Sequence, residues 1–470
     1  MDSQSYPAFK HSSFSGLIGV AQEDITPPIE IYSRNWGASE YDVAEGVHRP
    51  IMLTCLTFQS SKQAKPLVLI SADLGWWKNS QDEWFLRKGI LEALSLTPPE
   101  LMLCLSHTHA GPGICRDDAS KPGGQLIEQY LYDIQKAAIC AAKRGLLTAA
   151  SAILTWHYGK CNLATNRDLP EKNSERLVVG FNPGQIADDT LLVGRVTDEQ
   201  NRIIATIVNY ACHPTTLAWE NRFISPDYVG AMRELVESNT EAPCLFLQGA
   251  SGELAPAEQY VGETEIADKN GRQLGYAVMA TLESMLAPKK ELSFSRVVES
   301  GAPLAVWKQT PYQPSSQLSA EMVEVPFNLK PLPSLLEIEQ QYGDCEDRVM
   351  KERLSRKRGI RKAVGDGEIA QIPLWVWQLG DSFLIGQPNE AYSEFQEQLR
   401  RQLSPKAIAV MNIVNGSVGY LPPRELYGKD IYQEWQTPFA AGSLELLIKT
   451  AIQVAGKVIM KNKPNLTIKE

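Results

Sequence analysis

Short apolar runs closed by proline, glycine or an acid alternate along this chain with longer stretches whose apolar residues recur at helical spacing. Leu101–Leu105 is the clearest of the short runs. It follows Pro98-Pro99-Glu100 and passes straight into Ser106-His107-Thr108-His109-Ala110-Gly111-Pro112-Gly113, which predicts a buried strand ending in a turn. Residues 16–28, 51–58, 67–70, 152–156, 191–196, 202–213, 244–248 and 407–414 also read as strands, whereas 162–168 reads as a polar loop. Residues 374–379 and 383–386 flank Gly380-Asp381 and predict a hairpin.

Helices are predicted between these strands. Ser80-Gln81-Asp82-Glu83 has the form of a capping box ahead of Leu86, Ile90 and Leu94. A second helix covers about 126–144, with Ile127, Leu131, Ile134 and Ala138 on one face. Ser225-Pro226-Asp227 predicts a start with proline at the first helical position, and Ile266, Leu274, Val278 and Leu282 mark a fourth helix. This alternation predicts an α/β protein: mixed β-sheets covered by helices in a layered sandwich, forming one domain over residues 1–470. Residues 287–333, rich in proline, serine and charge, are expected to form an irregular crossing segment. No internal repeat is evident.

Charge narrows the partners. Forty-six basic and 55 acidic residues give a net charge of −9, which disfavours nucleic acid and anionic membrane surfaces. Residues 351–362 nevertheless hold seven Lys/Arg and one acid; in an acidic protein this run is expected to be a solvated helix face. The N-terminus lacks the pattern of a secretory signal, and Glu445, Lys449 and Lys457 interrupt the most apolar late segment, so no transmembrane segment is expected. Eight cysteines without a Cys-x-x-Cys pair predict reduced thiols and a cytoplasmic location.

Candidate chemistry collects at strand ends. His107 and His109 sit at the mouth of the Leu101–Leu105 strand; two apart on an extended chain, roughly 6.5–7 Å at Cα, they are expected to face one metal ion or reacting group. His213 precedes Pro214, which favours extended backbone, so it too projects from a strand end. Asp73 ends another strand, where it either caps a turn or orients a histidine. Arg167, in the polar loop, is either exposed or reaches into a cleft to hold a polar substrate group. The small residues of 249–256 allow close backbone approach, and Glu390 stands where a strand gives way to a helix.

These segments resemble neutral ceramidases. Ser106-His107-Thr108-His109-Ala110-Gly111-Pro112 is similar to that family's Thr-His-Thr-His-Ser-Gly-Pro, and the stretch Asn209-Tyr210-Ala211-Cys212-His213 to its Phe-Ala-Val-His-Gly-Thr-Ser. Gln387-Pro388-Asn389-Glu390 resembles its Val-Pro-Gly-Glu, and the segment from Gly419-Tyr420 to Tyr427 its tyrosine-rich segment. The resemblance runs from about Gly16 to the last helix and covers the family's catalytic domain. It implies zinc held by His107, His213, Glu390 and Tyr420, with His109 as the neighbouring catalytic histidine and Arg167 in the substrate cleft. Two histidines and a carboxylate are, independently, a sound catalytic zinc set.

One position departs. The family's Gly-Asp-Val-Ser-Pro, with its nucleophilic serine, is here Gly252-Glu253-Leu254-Ala255-Pro256, and Ser251 lies four residues earlier. The expectation is therefore a zinc-dependent hydrolase cleaving a linear amide of a small or lipid-like N-acyl substrate with zinc-activated water. Zinc brings the pKa of water from ~15.7 to about 7. His109 or Glu253 would carry the proton. Hydrolysis of an ester or small cyclic amide, or a retired ligand-binding site, remain the alternatives.

Overall fold

The computed structural model describes residues 6–461. Ser12–Asp24 (β1), Met52–Gln59 (β2), Leu67–Ala72 (β3), Leu101–Leu105 (β4), Ala150–Lys160 (β5), Thr190–Thr197 (β6), Ile203–Tyr210 (β7) and Cys244–Gln248 (β8) form one eight-stranded sheet. Its order is β8-β7-β6-β5-β1-β2-β3-β4. Only β3 with β4 and β7 with β8 pair in parallel. Helix Ser80–Leu94 (α1) makes the first crossover and Ile127–Thr148 (α2) follows it; Tyr228–Thr240 (α3) makes the second and Thr264–Glu283 (α4) follows. The sheet is thus two βββαβα units joined through the antiparallel β1–β5 pair.

The same unit occurs a third time. After an antiparallel hairpin of Lys290–Glu299 (β9) and Pro303–Pro311 (β10), Leu318–Asn328 (β11) pairs with Ile369–Leu379 (β12) and that with Ser382–Gly386 (β13). Leu335–Asp344 (α5) and Arg348–Val364 (α6) lie between β11 and β12. Helix Glu394–Gln402 (α7) crosses to Ala407–Met411 (β14), parallel to β13; Tyr432–Gln436 (α8) and Ser443–Lys461 (α9) follow. No internal sequence repeat accompanies this recurrence. It is one of connection and strand order.

The two sheets pack face to face over a shared core that contains Phe14, Phe58, Trp156, Trp375 and Trp377. Along β4 the alternation is plain: Leu101, Leu103 and Leu105 meet the α1/α2 layer, while Met102 and Cys104 meet the second sheet. A strand covered on both sides reads as an unbroken apolar run. Val208 and Phe246 pack under α3 and α4, and Phe383 and Ile408 under α7 and α9, completing helix, sheet, sheet, helix. The expected α/β sandwich is observed. Trp375 and Trp377 donate their indole N–H groups to Pro98 O and Pro99 O at 3.0 and 2.6 Å, so their polar atoms are satisfied at depth. The Asn209 amide bonds both backbone groups of Val410, linking β7 to β14.

Several local expectations change. Residues 287–333 are largely strand: nearly all their side chains are exposed or half-buried, so the hairpin lacks the apolar run that marks the buried strands. Part of 162–168 is also strand, Ala164–Asn166 pairing with Leu254–Pro256. The capping box does not form, because Asn79 caps α1 by accepting from Gln81 N at 2.7 Å and Glu83 is buried against Arg87. Asp227, at φ 56°, caps α3, which leaves Pro226 before the cap. Among the described residues no helix is long and apolar enough to cross a membrane.

Asp73 orients no histidine. Its carboxylate forms a bidentate pair with Arg233 of α3, both contacts at 2.6 Å and both side chains buried. Arg233→Met should leave that carboxylate buried without its partner and destabilise the protein by roughly 3–5 kcal/mol in denaturant unfolding. A loss below about 1 kcal/mol would show that water reaches Asp73.

Candidate metal centre

Each unit brings a candidate metal ligand to one point. His107 lies just beyond β4, where its N–H bonds Leu74 O at 2.9 Å; a φ of 71° turns the chain there, so His107 and His109 meet around a bend and not along an extended strand. Their ring centroids are 5.0 Å apart. His213 follows β7, with its N–H on Leu254 O at 2.9 Å. Glu390 and Tyr420 come from the third unit: Glu390–Ala391 and Tyr420–Leu421 pair in parallel with Glu390 opposite Tyr420, which sets the two side chains next to each other.

Oε2 of Glu390 stands 3.0 Å from His213 Nε2 and 3.3 Å from His107 Nε2. Candidate donor atoms of the three residues all lie within 4.8 Å of one another. Nδ1 of His213 faces Ser251 O at 2.7 Å and that of His107 faces Gly75 O at 3.2 Å. A carbonyl can only accept, so both Nδ1 atoms carry the proton and both Nε2 atoms keep their lone pairs for a metal. Apart from its contact with Glu390, His107 Nε2 has no hydrogen-bond partner among the described residues. The Tyr420 hydroxyl is 3.4 Å from His213 Nε2. These residues fit a divalent ion that takes nitrogen and oxygen donors, zinc among them.

Electrostatics follow from depth. Burial would raise the Glu390 carboxyl, but the imidazoles of His107 and His213 hold it well below the usual carboxylate range. Burial, then the Arg167 guanidinium, lowers His213 to about 3. His109 is held well below its ordinary value by burial and then by the two neighbouring histidines, so its ring is neutral at pH 7. Neither ring nitrogen of His109 has a partner among the described residues. Its ring lies 4.7 Å from Trp76 and 5.1 Å from Trp36.

His109 also separates two cavities. An inner one of about 50 Å³ is bounded by His107, Glu390 and Trp76, and an outer one of about 380 Å³ by Arg167, Trp36, Trp219 and Tyr260; His109, Arg356 and Tyr420 border both. Arg167 is buried and does reach the cleft: one nitrogen donates to Gly252 O at 2.7 Å and to Tyr420 OH at 3.1 Å.

Two solved structures share this architecture. A ceramidase complexed with C2 superposes with a TM-score of 0.68 at 14% identity, over 94% of this chain and 76% of that one. Neutral ceramidase from Pseudomonas aeruginosa gives 0.68 at 15% identity, over 94% and 75%. The fold is that of neutral ceramidase. No protein-family model matches the sequence, and no curated protein matches it.

In this ceramidase fold the remaining expected residues separate. Ala255 is fully buried in the short strand Leu254–Pro256, opposite Thr165. Ser251 receives a hydrogen bond from Gln248 at 2.7 Å and is itself buried. Glu253 lines neither cavity; its carboxyl meets the N–H and Oγ of Ser393 at the start of α7, the backbone contacts being 3.0 Å.

The basic run of α6 is not simply a solvated face. Arg356 turns into the cleft, where it bonds Tyr432 OH at 2.8 Å, Asn35 O at 3.0 Å and Glu352 at 3.1 Å and lies over the Trp76 ring. Gly359 permits this approach, since a Cβ there would meet Lys78 O at 2.4 Å. Trp36, Trp76, Tyr260 and Tyr432 carried no strand-end or motif signal; only the glycine within the charge run hinted at a close contact.

Glu253 supplies a test of the surrounding shell. Burial, only partly opposed by the Ser393 hydrogen bonds, raises its pKa from 4.5 to about 8. Between those values the folded protein retains a proton that the unfolded chain releases, so this contribution to stability is complete below 4.5 and is lost as pH rises through about 8. The melting temperature should therefore fall more steeply over that interval in the parent protein than in Glu253→Gln. Parallel profiles would mean that the carboxyl is ionised in the fold.

Proposed function

We propose that this protein is a metal-dependent hydrolase of an N-acyl amide bond, with zinc held by His107, His213, Glu390 and Tyr420. The observation that carries the reading is the convergence of the His107, His213 and Glu390 donors beside an imidazole whose two nitrogens are free. A divalent ion held there would supply a Lewis acid to polarise a carbonyl and to make water a stronger nucleophile at neutral pH.

The chain's own residues supply the rest. Arg167, whose guanidinium donates to the Tyr420 hydroxyl at 3.1 Å, stands where the ligand cluster meets the outer cavity and holds a polar group of the substrate there. His109, neutral and unbonded between the cavities, accepts a proton from the attacking water and returns it to the departing nitrogen, so that the C–N bond breaks to a carboxylic acid and an amine. Water is the nucleophile in this reading because residue 255 is alanine and Ser251 is engaged with Gln248. Glu253 acts through Ser393, fixing the start of α7 four residues beyond Glu390, and carries no proton to substrate.

Purified protein should contain about one zinc per chain, lost in His213→Ala, and should release amine from N-acyl substrates only when metal is present. His109→Gln should retain zinc and lower kcat by roughly 10²–10⁴-fold. No bound metal in the parent would end the proposal, and undiminished turnover in His109→Gln would remove that residue from it.

A further inference from the structure

The outer cavity is unlike a trough for two long acyl chains. At about 380 Å³ it falls near the lower end of the roughly 300–1,000 Å³ that encloses drug-sized ligands. Three rings wall it: Trp36 and Tyr260 at 5.7 Å between centroids, Trp36 and Trp219 at 6.0 Å, and Trp219 nearly parallel to Tyr260 at 6.1 Å. Such a cluster leaves broad aromatic faces for a planar guest. Its charge is one-sided. The guanidinium groups of Arg167, Arg353 and Arg356 border the cavity with one carboxylate, Glu352, which is already paired with Arg356. Arg167 donates only to uncharged acceptors on Gly252, His213 and Tyr420. A planar guanidinium next to an apolar wall is suited to a carboxylate, which it binds more strongly than a neutral amide.

We infer that the substrate is a small N-acyl compound bearing both an aromatic ring and a carboxylate near the scissile amide, the chemical class of N-acylated aromatic amino acids. This rests on the amide-hydrolase reading for the reaction, but the ligand class is carried by the cavity alone. The ring lies among Trp36, Trp219 and Tyr260, the carboxylate faces the arginines, and the acyl carbonyl points past His109 to the ligand cluster.

Titration calorimetry on metal-free and zinc-loaded protein would compare N-acetyl-L-phenylalanine with its neutral carboxamide and with N-acetylglycine, and amine release would be followed for the same compounds and for ceramide in detergent micelles. The aromatic acid should bind roughly tenfold tighter than either comparison compound, with or without metal. Trp219→Ala, at the partly exposed rim, should remove most of the advantage over N-acetylglycine. Equal binding of acid and carboxamide, equal binding of the ring-free compound, or preferred cleavage of ceramide would overturn the inference. Cleavage of amides without acid preference would sink the ligand class and keep the hydrolase; acid-selective binding without any cleavage would do the reverse.

Discussion

A single carboxylate oxygen held between two imidazoles governs how the rest of the molecule is arranged. Glu390, His107 and His213 are each nearly inaccessible to solvent, and a buried ionisable group is costly unless it is paired. Positive charge at that point, carried by ring protons or by a metal ion, would offset the burial of Glu390 and reverse the direction in which burial alone moves its carboxyl. Because the three side chains come from three different βββαβα units, that compensation exists only when both sheets have docked. The tryptophans on β12 and the Asn209 amide between β7 and β14 therefore serve the site as well as the core: they set the distance across which the ligands meet.

Chemistry and selectivity have separate structural sources. The candidate ligands stand just beyond strand ends of the two sheets. The outer cavity owes its basic side to α6, which is inserted between the first two strands of the third unit. Changes in such an insertion alter what the cleft admits without moving the ligands. Gly359 and the Arg356 contacts with Tyr432, Asn35 and Glu352 are what make this insertion part of the cleft wall instead of a solvated appendage.

The strand-end residues that converge in the candidate site were legible because they coincide with the strongest local signals. Leu101–Leu105 is apolar throughout, since it is covered on both faces, and His107 follows it before a Gly-Pro turn. His213 and Glu390 are marked in the same way. The recurrence of the unit was not legible, because repeated connection order requires no repeated side chains. The β9–β10 hairpin escaped notice for the opposite reason to β4: mostly exposed strands need no apolar run. Arg356 was concealed by its company. Seven basic residues in twelve positions suggest solvent, and nothing local distinguishes the one that meets Trp76 and Tyr432. His107 exposes a different limit. The expected meeting with His109 occurs, but around a positive-φ bend that is fixed by a tertiary bond to Leu74 O.

Equivalent places in the three units explain why the ligand set has one carboxylate and not two. Acidic or imidazole side chains occur beyond the third strand of every unit: Asp73 one residue past β3, His213 three past β7 and Glu390 four past β13. The longer excursions carry His213 and Glu390 to the common point, whereas Asp73, immediately at its strand end, is claimed by Arg233 from the second unit's crossover helix. The first unit consequently contributes from its fourth strand, through His107. Two imidazoles and one carboxylate would leave a bound divalent ion with net positive charge, suited to polarising a carbonyl, whereas a second carboxylate would cancel it. By holding Asp73 away from the cluster, the Asp73–Arg233 pair joins two units and keeps a second carboxylate out of the site that they share with the third.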